Sequence, residues 1–221
     1  MKETLKICVA TNNEHKMGEL RNIFKGYNIE LCSLKDLNIK VDPEESGETY
    51  AENAFIKASE VAKFTSLPVL SDDSGIKIDA IGGLPGVHSH RFAEAFGGQE
   101  KTNNFLVKNY PNSKAHFTAH FVLLNLTPNS RNDFEGIMNG HIANSVYGNG
   151  GFGYDPIFVP EGYECTVASL SAEEKNKISH RYKASKAMLD YLIKEKYLWF
   201  ADFFIKINAF LNKVDSKVNR Q

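Results

Sequence analysis

The segment from Leu67 to Ile78 constrains the fold more than any other. Two apolar runs, Leu67-Pro68-Val69-Leu70 and Ile76-Lys77-Ile78, flank the polar stretch Ser71-Asp72-Asp73-Ser74-Gly75. Short apolar runs bounded by turn-forming residues predict strand, tight corner, strand. Two like charges at such a corner repel, and partial burial makes each costlier. A bound cation or a proton-transfer task offsets that cost. The plainer alternative is a surface Asp-Asp-Ser-Gly turn, since all these residue types favour turns.

Composition narrows the setting. The chain has 221 residues, enough for one good-sized α/β unit. A formal net charge of -1 gives no general pull toward nucleic acid or an acidic membrane. Cys8, Cys32 and Cys165 form no CxxC pair, so neither a zinc site nor a disulfide framework is suggested, and a reducing cytoplasm is the expected compartment. Met1 to Ala10 holds too short an apolar segment for a signal peptide, and no uncharged apolar run is long enough to span a bilayer.

Strand-like and helix-like patterns alternate along the chain. Leu5 to Ala10 reads as a buried strand and Glu14 to Phe24 as a helix with Met17, Leu20, Ile23 and Phe24 on one face. Ile29 to Leu34 reads as a second strand. The acidic loop Asp42-Pro43-Glu44-Glu45-Ser46-Gly47-Glu48 follows, then a helix from about Tyr50 to Thr65 with Thr49 and Glu52 as its capping box. Phe117, Ala119, Phe121 and Leu123 alternate as in a strand. Phe134–Met138 and His141–Val146 read as a strand pair joined by Asn139-Gly140, a strong hairpin signal. Ile157–Val159 is a further strand. Ser171 and Glu174 form a second capping box, before a helix from about Ser179 to Lys194. The pattern predicts mixed α/β in one folding unit, residues 1–196, with a cleft between two lobes. Residues 197–221 are expected to form a separate amphipathic helical extension. There Phe200, Phe203, Phe204, Ile207, Phe210, Leu211 and Val214 share one face, suited to packing on its own subunit, across a dimer or on a partner.

Four segments carry chemistry. Thr11-Asn12-Asn13-Glu14-His15-Lys16 opens a helix, where unpaired N–H groups and partial positive charge suit phosphate. It is not a P-loop, because the glycines and the Gly-Lys-Ser/Thr ending are absent. The acidic loop offers hard oxygen ligands such as Glu44 that can join Asp72 and Asp73 at one divalent ion. Gly148-Asn149-Gly150-Gly151-Phe152-Gly153-Tyr154-Asp155 is a glycine-rich loop with two aromatics suited to stacking on a base. Glu173 to Arg181 adds Lys175 for phosphate, and His180 and Arg181 as donors to a base carbonyl. Each segment alone also reads as an ordinary cap, loop or charged helix start. Together they describe a nucleotide site.

These motifs resemble the inosine triphosphate pyrophosphatase family, house-cleaning enzymes for deaminated purine nucleoside triphosphates. The resemblance runs from about Lys6 to Tyr191. Its marks are Thr11 to Lys16, Gly-Glu-Thr-Tyr-Ala-Glu-Asn-Ala from Gly47, Ser-Asp-Asp-Ser-Gly from Ser71 and Gly-Gly-Leu-Pro-Gly-Val from Gly82. Gly-Gly-Phe-Gly-Tyr-Asp-Pro-Ile-Phe from Gly150 and Glu-Glu-Lys-Asn-Lys-Ile-Ser-His-Arg from Glu173 complete the set. The resemblance implies an elongated, mixed-sheet, two-lobed α/β fold with a central nucleotide cleft, and a homodimer. It implies magnesium-dependent hydrolysis of ITP, dITP or XTP to monophosphate and pyrophosphate. It also assigns roles: Thr11, Asn12, Asn13, Glu14, His15 and Lys16 to the phosphates, Asp73 to catalysis, Glu44 and Asp73 to Mg2+, and Ser74 to substrate contact. Phe152, Gly153, Tyr154, Asp155, Lys175, His180 and Arg181 would form the base and sugar pocket. Asp72 is a further metal-ligand candidate. His88 and His90 depart from the family's usual small or non-ionisable residues. A Maf-like pyrophosphatase for modified pyrimidine nucleotides and a non-catalytic nucleotide-binding protein are the alternatives.

Overall fold

The first apolar run forms β1 (Leu5–Val9), flanked in parallel by β2 (Ile29–Ser33) on one side and β3 (Val69–Ile78) on the other. Beyond β3, the strands β4 (Lys114–Leu124), β5 (Arg131–Ile142) and β6 (Phe158–Pro160) continue antiparallel, giving one mixed sheet in the order β2-β1-β3-β4-β5-β6. The computed structural model describes residues 4–195 and 197–198. The aromatic stripe expected from Phe200 to Val214 lies outside the described residues.

Helices cover both faces. On one side α1 (Glu14–Ile23) and α6 (His180–Lys194) bury Met17, Leu20, Met188 and Leu192 against Ile7, Phe121 and Leu123. On the other, α2 (Tyr50–Val61) buries Ala54, Ala58 and Val61 against Cys8, Val69 and Val122. The small alanines let α2 sit close to the sheet. A third core around Ile76, Leu106, Phe117, Met138 and Phe158 fills the second lobe. Among the described strands, β3, β4 and β5 pack residues against the cores of both lobes, while β1 pairs with β3 at Cys8↔Val69 and Val9↔Leu70. Both expected capping boxes form, at Thr49/Glu52 on α2 and at Ser171/Glu174 on α5 (Ala172–Ile178).

Two expectations are corrected. Ser71 to Gly75 is no corner: β3 is continuous from Val69 to Ile78, and Asp72 and Asp73 stand opposite Phe121 and His120. β4 pairs β3 along the whole of β3, from Val69 to Ile78, and Ser71 Oγ donates to the Ala54 carbonyl. Turn preference loses to a complete ladder. Likewise Asn139-Gly140 is no hairpin but lies inside β5, where Gly140 pairs with both Ala115 and Pro160. Its glycine serves close approach, since a Cβ there would lie 2.1 Å from the Val159 carbonyl oxygen.

Two helices were not foreseen, α3 (Ser89–Ala95) and α4 (Gln99–Asn109). Half of the buried face of α4 is polar: Thr102 bonds the Gly98 carbonyl at 3.0 Å and Asn103 the Gly153 carbonyl at 3.0 Å. Hydrophobic periodicity is therefore weak there.

Gly136 on β5 fixes the seat of α6. A Cβ there would lie 2.1 Å from the His180 carbonyl oxygen and 2.4 Å from the Ala184 nitrogen. Gly136→Ala should push the first turn of α6 outward and cost about 2–3 kcal/mol, roughly 5–10 °C in Tm. Thermal unfolding by circular dichroism checks this, and an unchanged midpoint would mean that the contact relaxes freely.

Candidate active site

The strand order creates a crevice before any side chain is considered. From β1 the chain passes through α1 to β2 on one side, then returns through α2 to β3 on the other. Ligands in open α/β sheets bind at such a reversal, outside the carboxyl ends of the strands. Here the Ala10 N–H still bonds the Leu70 carbonyl at 2.7 Å, and just past it the Thr11–Asn13 loop and the Asp72–Asp73 pair part. A cavity of about 770 Å³ opens at this point, lined by residues of both lobes.

Thr11, Asn12, Asn13 and Lys16 reach this cavity. The Asn13 side chain caps α1, accepting from the His15 and Lys16 N–H groups at 3.0 and 3.1 Å, while Asn12 Nδ2 donates to the Val41 carbonyl at 3.2 Å. Lys16 Nζ lies 3.2 Å from Asp72 Oδ2. Burial lowers the Lys16 pKa, against the pull of Asp72. Glu14 and His15 line a smaller neighbouring cavity instead.

The two aspartates point to opposite faces of β3, as neighbours in a strand must. Asp72 faces α6 and Asp73 faces α2. Arg181 is fully buried, with each guanidinium nitrogen engaged: Nε to Asp72 Oδ2 at 2.9 Å, Nη2 to Ser74 Oγ at 3.0 Å, and Nη1 to Glu19. Burial alone would raise the Asp72 pKa, but Arg181, Lys16 and Lys57 outweigh it and hold the carboxyl well below the ordinary range. Burial raises the Asp73 pKa, the Lys57 and Lys16 charges oppose this only in part, and the Glu45 charge adds to the rise. Lys57 Nζ lies 3.1 Å from Asp73 Oδ1 and 2.6 Å from Glu45 Oε1. Asp73 Oδ2 and Asp72 Oδ1 are buried without a hydrogen-bond partner among the described residues.

Across the cavity, Phe152 follows the glycine-rich loop. Asp155 is held by Lys175 at 2.7 Å and by the Phe152 N–H at 2.8 Å. Gly153 offers backbone to the cavity, and the Tyr154 hydroxyl is committed to the Ser89 carbonyl at 2.7 Å. His180 stacks on Phe117 with centroids 4.8 Å apart, and burial with Arg181 nearby pushes its pKa well down. Its Nδ1 lacks a partner among the described residues.

Two residues of this cluster, Lys57 and Glu19, were not singled out from sequence. Lys57 falls on the buried face of α2 at helical spacing from Ala54 and Val61, an unusual place for a lysine and a readable signal. Glu45, rather than its exposed neighbour Glu44, reaches toward Asp73 by way of Lys57, although both line the cavity. Glu19, one turn beyond Lys16, ties Lys175 to Arg181.

Lys16, Lys57, Lys175 and Arg181 thus meet Glu19, Glu45, Asp72, Asp73 and Asp155. The carboxylates exceed the cations by one. An incoming polyphosphate would worsen that balance, and the partnerless Oδ2 of Asp73, which lines the cavity, is the hard donor a divalent cation prefers. Among the described residues no three His, Cys, Asp or Glu side chains converge as a closed cage. Magnesium commonly takes one or two carboxylates and completes its shell with water and substrate phosphate, so the residues fit that ion.

Fold and site define a two-lobed α/β protein with a charge-lined cleft at a strand switch point. The Ham1 family model matches residues 7–191, and the chain belongs to that family. A dITP/XTP pyrophosphatase of Caldanaerobacter subterraneus is 41% identical over 196 residues, covering 86% of this chain and 97% of that one. One of Aquifex aeolicus is 42% identical over 201 residues, covering 85% and 96%. Among solved structures, a HAM1 protein from Coxiella burnetii superposes with a TM-score of 0.76 at 33% identity, covering 86% of this chain and 99% of that one. The Staphylococcus aureus Ham1 protein gives 0.72 at 34% identity, covering 86% and 99%.

Arg181→Ala would leave Asp72 and Glu19 buried without their shared cation. It should cost about 3–5 kcal/mol in chemical denaturation, with Arg181→Lys recovering only part. A cost below about 1 kcal/mol would contradict the role of Arg181 as the centre of this cluster. Asp72 also sets a pH sign: its folded pKa is depressed, so its stabilisation is full above about pH 4 and is lost as pH falls toward the folded value. Replacement of Asp72 by Asn should therefore flatten the acid limb of stability below about pH 4.

Proposed function

We propose that this chain hydrolyses deaminated purine nucleoside triphosphates to the monophosphate and pyrophosphate, with magnesium, as a cytoplasmic homodimer. The observation that carries the reading is the meeting of a phosphate-type helix start, a buried aspartate with a free oxygen and an aromatic platform around one cavity. The relatives named dITP/XTP pyrophosphatases, matched over nearly their whole length, support the same substrate class.

Asp73 Oδ2 is the acceptor in this reading. It orients a water for attack at the α-phosphorus and takes its proton, while Lys57 keeps the other carboxylate oxygen in place. In this reading Lys16, which lines the cavity, stabilises charge growing on the departing pyrophosphate. Magnesium, held by Asp73 with Glu44 or Glu45, would neutralise the polyphosphate and polarise its oxygens. At the base end, Phe152 supplies a stacking surface. His180 and Lys175 supply donors suited to the 6-oxo group of hypoxanthine and xanthine, where adenine carries an amino group. Arg181 lines the same cavity but spends bonds on Asp72, Glu19 and Ser74, so its share in base reading comes through the nitrogen hydrogens left over.

The test is a triphosphate panel with magnesium, scored for pyrophosphate against orthophosphate. Inosine and xanthosine triphosphates should exceed adenosine triphosphate by orders of magnitude, and a chelator should abolish turnover. Asp73→Asn should cut kcat by about 10²-fold or more while nucleotide binding stays measurable. Near-normal turnover in that variant, or orthophosphate as the product, would refute the reading.

A further inference from the structure

Phe152 belongs to none of the three hydrophobic cores. Its backbone N–H is fixed by Asp155, but its ring has another anchor: His15 of α1 stacks on it, with centroids 5.2 Å apart and planes 19° from parallel. In the loop bearing Phe152, Gly148, Gly151 and Gly153 take positive φ, at 84°, 69° and 63°. The loop backbone is tied by the Gly150 N–H to the Ala168 carbonyl at 2.9 Å and by Asn103 to the Gly153 carbonyl at 3.0 Å. Lys175 Nζ and Arg181 Cζ lie 5.0 and 5.8 Å from the Phe152 ring centroid. Phe152 also stands between two cavities, the large one and a neighbour of about 350 Å³, and lines both. His15 lines only the smaller, so it meets Phe152 from that side and leaves the large cavity clear. Lys16, next along the helix, turns about 100° away and faces Asp72.

We propose that His15 is a positioning residue for the nucleobase, acting through Phe152 and not on the phosphates. It buttresses the back of the Phe152 ring, so that the base meets a platform already fixed in orientation. Fixing a side chain before the ligand arrives removes an ordering cost from binding. The consequence falls on affinity for nucleotides and spares the handling of the polyphosphate. The inference rests on the pyrophosphatase reading.

The experiment compares His15→Ala, His15→Phe and His15→Lys with the wild type. It reads KM and kcat on inosine triphosphate, and inhibition by inorganic tripolyphosphate, which has no base. His15→Ala should raise KM about three- to tenfold, the worth of an aromatic pair, with kcat little changed. Tripolyphosphate inhibition should be unchanged. His15→Phe should restore KM and His15→Lys should not. Unchanged KM in His15→Ala would overturn the proposal. So would weakened tripolyphosphate inhibition rescued by lysine, which would assign His15 to phosphate. A wild type inert toward inosine triphosphate would overturn both readings, whereas an active wild type with unaltered variants overturns this one alone.

Discussion

The pairing of Asp72 with Arg181 is the interaction on which the rest of the site depends. It joins the middle of β3 to the first turn of α6 at a depth that water scarcely reaches. Two such charges are costly to bury and are kept only where the geometry satisfies them. Here Arg181 is bonded on three sides, and its partners bring Glu19 of α1 and Ser74 of β3 into one arrangement. Three elements distant in sequence are thereby locked around the crevice that the strand order opens. Gly136 permits this, because only a residue without a side chain lets α6 lie so close to β5.

The alternation of a strand assigns the two aspartates different tasks. Asp72 is turned inward and saturated with cations, so its charge is stable and structural. Asp73 is turned toward α2, shares Lys57 with Glu45 and keeps one oxygen uncommitted. Burial dominates there and raises its pKa, whereas the surrounding cations depress that of its neighbour. Carboxylates separated in this way are the usual mark of divided roles at a reactive site. Adjacent identical residues thus become an anchor and a candidate base through the pleat alone.

Much of this was legible in the sequence. Helix starts carried by side-chain caps were readable because the cap is local: Asn13, Thr49 and Ser171 each bond backbone within three residues. The early β-α-β order was readable from local patterning, and many of the residues that line the cavity fall in the motif segments that the sequence marks. What escaped depended on partners far along the chain. Asp-Asp-Ser-Gly and Asn-Gly have turn chemistry, but β4 and β6 supply ladders that override it. The helix α4 escaped because its buried polar side chains satisfy backbone carbonyls that no periodicity reveals. Lys57 and Glu19 escaped because a charged residue declares its role only through what it meets.

The central claim is that Asp73 directs water at the α-phosphorus. Hydrolysis of inosine triphosphate in heavy-oxygen water, followed by mass spectrometry of both products, tests this most directly. The account predicts one heavy oxygen in inosine monophosphate and none in pyrophosphate. Label in the pyrophosphate, or in released orthophosphate, would place the attack elsewhere and contradict it.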